Sequence, residues 1–344
     1  MKRTSCLATL LVIILGLPEP ALPWGTRAHA VIDRTAVDSL PDDGPVFLKK
    51  YVDYIAASAS VPDTWRGASE PFSKIEEDPN HGWFREQFAF MKQIPRSRYE
   101  FVLELYKERL RIEKSDPENA RLMNVRWTGT LPYAAVEVYG HLVADMRYIR
   151  KLRAQGKDAT FLEQTCAFYV AWMGHYLGDG AQPLHDTIHH DGWQGPDPRG
   201  YTRDHTIHGR FESQYVEAIA LTEADILPRM GNPGHQQGDV FDLILAHLNE
   251  ASTQVETIYQ LDQRHAFEDA HDPQAREMIY SRTAAGARML RDLVCRAWLE
   301  SAVAAPSGQP SPIDPGNPLY DPETGSAPAV LSPDVQPPSA AASH

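Results

Sequence analysis

The chain's residue pattern predicts an all-α fold, a multi-helix bundle followed by a Pro-rich tail. Three observations carry this expectation. From Arg27 to Asp269 apolar residues recur at three and four positions, as in Phe168, Trp172 and Tyr176, the period of a helix with a buried face. No long stretch alternates apolar with polar residues, so no sheet is expected. Pro and Gly cluster at Pro62 to Pro79, Asp179 to Tyr201 and Met230 to Gly238, which reads as loops between helices.

Taken in order, residues 1–23 begin with Lys2 and Arg3, run apolar from Leu7 to Leu17 and turn polar at Pro18-Glu19-Pro20. That is the three-part layout of a secretory signal peptide, and it places the protein outside the cell or in the periplasm. The apolar run is short for a bilayer span; a retained anchor is the alternative, and Pro23 stands where a small residue is expected before cleavage at Trp24. Helices are expected over 27–40, 44–58, 97–113, 131–155 and 159–178. Gly180 ends the last of these, and Pro183 marks a turn after it. Helices over 205–221, 239–262 and 273–303 complete the bundle. Residues 305–344 hold 10 of the chain's 27 prolines among Ser, Ala and Gly, too little apolar surface to order itself, so a disordered tail is expected. The division is then a leader over 1–23, one domain over 24–304 and a tail over 305–344. No repeat of solenoid period is present.

Composition sets broad limits. With 42% hydrophobic and 23% charged residues, the 344-residue chain has the profile of a soluble globular protein. A formal net charge of -13 repels polyanions unless a local basic patch or bound metal reverses the field. It argues against a protein that coats DNA through phosphate contacts alone. Cys6 lies in the leader. Cys166 and Cys295 have two open readings, one disulfide in an oxidising compartment or two buried thiols in apolar helical stretches.

The residues with chemistry concentrate between His175 and Glu212. His175 and Asp179 are four apart on a predicted helix, so both project from one face and can reach one metal ion together. His185 arrives from the turn at Pro183. His208 and Glu212 form a second pair four apart. One such pair is usually a surface feature, but two on neighbouring helices are how bundles build multi-metal sites. His189, His190, Asp191, Asp204 and His205 lie in the same region, and spacing alone does not say which of these bind. No Gly-x-Ser-x-Gly elbow is present and neither Cys166 nor Cys295 sits beside a His, which removes the usual nucleophilic triads.

In four places the sequence resembles the superfamily that joins the zinc-dependent phospholipases C to the single-strand-specific zinc nucleases. Trp24-Gly-Thr-Arg-Ala-His29 resembles its amino-terminal Trp and first His. Val-Pro-Asp63-Thr-Trp-Arg66 resembles its Asp ligand with an Arg three residues on. Asn80-His81 resembles its next His, and His175…Asp179…Gln-Pro-Leu-His185 with His208…Glu212 completes the set. The resemblance implies a phospholipase C/nuclease-like bundle that binds three zinc ions. One would be held by Asp63, His81, His175 and Asp179, a second by Trp24, His29 and a bridging Asp179, and a third by His185, His208 and Glu212. Nitrogen and oxygen ligands without sulfur suit zinc. The stretch from His81 to His175 is longer than the family pattern, which implies an inserted helical hairpin.

The implied chemistry is phosphodiester hydrolysis, in which hydroxide shared by two zinc ions attacks phosphorus in line with the leaving oxygen. Asp63 would orient the nucleophile and Arg66 would fork onto a phosphate oxygen, unless it is an ordinary surface residue. Trp83 and Phe84, which follow His81, are the candidates to stack on substrate. The short step from Trp24 to His29, Arg66 after Asp63, and the long gap from His185 to His208 favour the nuclease branch. Glu212, where nucleases carry Asp, resembles the phospholipase branch. The expected partner is therefore a nucleic acid or phospholipid substrate, with no stable membrane span and no protein partner. A non-catalytic zinc-binding protein is the reading from another class.

Overall fold

The computed structural model describes residues 25–234, 236–303 and 310–328. Its longer helices are α1 (Thr26–Asp38), α2 (Val52–Ser58), α3 (Arg98–Ile112), α4 (Leu131–Ala154), α5 (Thr160–Asp179), α6 (Val240–Ser252), α7 (Val255–Gln263) and α8 (Pro273–Ala302). Among the described residues there is no strand, only two isolated bridges, so the all-α expectation holds.

Burial decides where each helix sits. Every residue of α5 from Met173 to Asp179 is buried, so that part of the helix has no solvent face and must be central. It packs against α4, α8, α2 and α1. The 30-residue α8 starts at Asp272, whose carboxylate caps the backbone N–H groups of Gln274 and Ala275 at 3.0 and 2.8 Å, with Pro273 in the first turn. Both devices suit a helix start, where N–H groups lack partners. Further along, α8 buries Arg291 and Arg296. They donate to the carbonyls of Gly231, Asn232 and Gln236, and so they tie down the Pro- and Gly-rich loop over residues 230–238.

Four expectations change in detail. The segment 44–58 begins as a 3-10 helix over Val46–Tyr51 before α2. The loop from Pro62 to Pro79 contains helical turns at Val61–Thr64, Pro71–Glu77 and Asp78–His81, because each proline there sits in a first turn, where its missing N–H costs nothing. The helix expected over 239–262 breaks into α6 and α7. At the break the hydroxyls of Ser252 and Thr253 bond back to the carbonyls of Asn249 and Glu250 at 2.8 and 2.7 Å, competing with the helix ladder. The helix expected over 205–221 runs unbroken from Ile207 to Ala218, with a π turn over Arg210–Gln214 in its middle.

After His81 the chain folds as α3, doubles back through Pro117–Leu122 packed on α3, and enters α4. Cys166 and Cys295 are free and buried. Of the tail, residues 310–328 form turns without helix, closed by a bridge between Asp321 and Ser326. The leader and its cleavage point lie outside the described residues, as does Trp24. No described helix is long and apolar enough to cross a membrane.

Candidate metal centre

Six segments converge below the end of α5. His29 comes from α1, Asp63 from the turn Val61–Thr64, and His81 from the 3-10 turn Asp78–His81. His175 and Asp179 come from α5, His185 from the 3-10 turn Pro183–Asp186, and His208 and Glu212 from either side of the π turn's start. All but His208 are buried. They form three groups whose candidate ligand atoms lie within 4.8 Å of one another: His29, His175 and Asp179; Asp63, His81 and His175; His185, His208 and Glu212.

Local structure fixes which atom each side chain presents. The Nδ1 of His175 donates to the Ala59 carbonyl at 2.8 Å, that of His185 to the His81 carbonyl, and that of His208 to the His190 carbonyl at 3.2 Å. Each ring therefore turns Nε2, with its lone pair, inward. His81 is reversed. Its Nε2 faces Glu77 at 3.1 Å and its Nδ1 faces inward. Glu77 also accepts from the Tyr176 hydroxyl at 2.7 Å and the Asn80 amide at 3.1 Å. Such outer partners set the tautomer and raise the basicity of metal-binding imidazoles.

The inward atoms are close enough that either a proton or a metal cation must lie between them. His175 Nε2 and His81 Nδ1 lie 3.1 Å apart, and His185 Nε2 and His208 Nε2 lie 3.2 Å apart, with lone pairs facing lone pairs. Around a tetrahedral zinc with ligands at about 2.0–2.1 Å, neighbouring ligand atoms are about 3.3 Å apart. Glu212 Oε2 is 3.3 Å from His185 and 2.9 Å from His208, while Asp63 Oδ1 is 3.7 Å from His175 and 3.8 Å from His81. These separations fit. Both ring nitrogens of His29, Oδ2 of Asp63 and Oδ1 of Asp179 are buried without a hydrogen-bond partner in the protein, a costly condition for polar atoms unless an ion meets them. His175 has one inward nitrogen and serves one of its two groups. Asp179 serves several neighbours, with Oδ2 2.9 Å from His81 and 3.5 Å from His175, and Oδ1 3.4 Å from His29 and 3.9 Å from His185.

Electrostatics follow from this crowding when protons on the imidazoles take the place of the cation. Burial, with Asp179 beside it, pushes the Asp63 carboxyl up to about 6 against the pull of His81, His29 and Arg66. Burial also opposes charge on Asp179, but His185 and His175 outweigh it and hold that carboxyl well below its usual range. Burial resists charge on Glu212 too, yet His208 and His185 bring it down to about 2.

The remaining candidates divide. Arg66 donates to Asp63 at 3.3 Å and to Asp78 at 3.2 Å, so it anchors Asp63. Phe84 stays partly exposed and stacks on His190, with ring centres 4.6 Å apart. Trp83, expected to stack on substrate, is fully buried among Phe88, Phe101 and Tyr133. No substrate reaches its ring. Its backbone instead supports the site: Trp83 N donates to the His185 carbonyl at 2.8 Å, and Trp83 bridges Gly129. Gly129 has φ +77, and a Cβ there would fall 1.8 Å from the Gly82 oxygen, so the approach requires glycine. Of the other polar residues nearby, His190 and Asp191 line the rim beside His208, Asp191 Oδ1 being 3.5 Å from His208 Nδ1. His189 stacks on Trp193, and Asp204 and His205 are exposed.

Sequence reasoning missed Glu77 and assigned Gln182 no role. Gln182 donates to Glu212 at 2.9 Å and caps Leu184 N at 2.6 Å. Glu77 lies four residues before His81, a signal hidden by the prolines around it.

No family model and no curated protein matches this chain. Among solved structures it is similar to the alpha-toxin of an avian strain of Clostridium perfringens, at 16% identity and a TM-score of 0.42, over 84% of this chain and 67% of that one.

Proposed function

We propose that the chain is a zinc-dependent phosphoric diester hydrolase of nuclease-like action, exported by its leader, with a trinuclear zinc centre in a domain over residues 24–304. The observation that supports this reading is the sharing of Asp179, whose two oxygens face His81 and His175 on one side and His29 and His185 on the other. Three ligand groups thereby become one continuous centre. Asp63, His81, His175 and Asp179 would hold one ion, and His185, His208 and Glu212 another. His29 and Asp179 would hold the third with Trp24, which immediately precedes the described residues. Bound there, zinc lowers the pKa of water and neutralises charge building up on phosphoryl oxygens.

The chain's own residues supply the orientation. Asp63 faces His175 and His81 with Oδ1, keeps Oδ2 buried and free of protein partners, and orients the nucleophile. Arg66, anchored through two donors, keeps further guanidinium N–H groups for a phosphate oxygen. Phe84, on the rim beside His190, offers a partly exposed ring to the substrate.

Elemental analysis of the protein processed to begin at Trp24, with hydrolysis of a chromogenic phosphodiester before and after chelation, tests this. Close to three zincs and chelator-sensitive hydrolysis are expected. Absence of zinc sinks the reading, and zinc without hydrolysis favours a binding protein. A second reading, a phospholipase C acting on headgroups, draws on Glu212, which stands where nucleases carry Asp. Single-stranded DNA and phosphatidylcholine offered to the same preparation separate the two.

A further inference from the structure

Every histidine of the centre except one has an outer partner in the protein. His175, His185 and His208 each give Nδ1 to a backbone carbonyl, and His81 gives Nε2 to Glu77. The exception is His29, whose two ring nitrogens are buried and unpartnered. One helical turn further along α1 lies Asp33, fully buried, with both carboxylate oxygens also unpartnered. Leaving one such group in a core is expensive, and the two occur together.

Their placement on α1 relates them. Residues four apart share a helix face, and helix side chains lean toward the N-terminus, so Asp33 leans toward the turn that carries His29. Opposite them, α5 is bare at both levels. A Cβ on Gly178 would lie 3.0 Å from His29 Nδ1, and one on Gly174 would lie 2.0 Å from Asp33 Oδ1. The two glycines, also four apart, leave a groove in which imidazole and carboxyl lie in line.

We infer that Asp33 is a positioning residue for the centre: its carboxyl oxygen accepts the Nδ1 proton of His29 through one intervening water, and so presents Nε2 to the ion shared with Asp179. This assigns His29 the partner that the other histidines already have. It rests on the zinc centre proposed above, and it concerns a residue outside the set of ligands. Asp33 touches neither substrate nor metal.

The test uses the full, correctly processed chain and reads zinc affinity by chelator competition, beside the melting temperature of the chelated protein. Asp33→Leu removes the acceptor while filling the space. The expected result is a zinc affinity lower by about ten- to a hundredfold for the weakest ion, with the chelated protein melting at or above the wild-type temperature. Asp33→Asn, which keeps an acceptor oxygen, should restore most of that affinity. Wild-type zinc binding in Asp33→Leu overturns the inference. So does a parallel fall in melting temperature and zinc affinity in both variants, the mark of a packing role. Should Asp33→Leu fail to fold, histidine 15N NMR of the zinc-loaded protein decides, because the His29 Nδ1 signal must shift on Asp33→Asn and an unmoved signal refutes the contact. Wild-type protein without zinc defeats the zinc reading as well, whereas zinc-loaded wild type with an unaffected Asp33→Leu defeats this inference alone.

Discussion

At the scale of single residues the centre depends as much on what stands behind each imidazole as on the imidazole. Glu77 is the clearest case, a buried carboxylate that meets His81 Nε2, the Tyr176 hydroxyl and the Asn80 amide at once. Glu77→Gln keeps the shape but removes the charge, and its amide N–H must face either Asn80 or the His81 and Tyr176 donors. Zinc affinity measured by chelator competition should fall by about ten- to a hundredfold, and an unchanged affinity would show that Glu77 does not act through His81. The His175/Asp179 and His208/Glu212 pairs are legible in the sequence because helical spacing places residues four apart together. Glu77 and His81 have the same spacing, yet Pro71 and Pro79 make their surroundings read as loop. The fate of Trp83 was not legible, since its burial is set by Phe88, Phe101 and Tyr133, and only the folded chain brings these rings around it.

At the scale of elements, the end of α5 explains why the centre lies where it does. The last carbonyls of a helix lack partners within it, and here each finds one. Gly180 N takes the Tyr176 carbonyl, Ala181 N that of Gly178, and Gln182 N that of Asp179, at 2.9, 3.0 and 2.9 Å. The Leu177 carbonyl receives Nε2 of His247 from α6 at 3.0 Å. Burial pushes this imidazole down to about 4, although the Leu177 carbonyl favours its proton. The unfolded chain binds a proton there near the ordinary value of 6.5. Between these values the unfolded state carries more protons, so stability falls as pH drops from about 6.5 toward 4 and is fully present above that window. Urea midpoints of chelated protein at about pH 7 and about pH 5 should therefore differ less in His247→Gln than in wild type. An equal difference would remove His247 from the account. The sequence pattern placed α4, α5 and α8 well because their apolar periodicity is long. It joined α6 to α7 because the break depends on the side-chain bonds of Ser252 and Thr253, which periodicity does not register.

At the scale of the molecule, the candidate ligands run from His29 to Glu212 and come from six segments, three of them short turns. The short turns at 61–64 and 78–81 bury little apolar surface of their own, so the proposed zinc would stabilise them most. The packing of α5 on α4 and α8, by contrast, is an apolar core that needs no metal. Chelation should therefore loosen the centre without unfolding the bundle. An ion present at about a thousand times its dissociation constant adds roughly 4 kcal/mol, which in a chain of this size moves the melting temperature by roughly 10 °C. Calorimetry of chelated protein should show a fall of that order, with helical circular dichroism at 25 °C nearly unchanged and the loss reversed by added zinc. A melting temperature indifferent to chelator would contradict a metal centre that joins these segments. Complete loss of helix would mean that the apolar core cannot stand alone, and that folding itself waits for the metal.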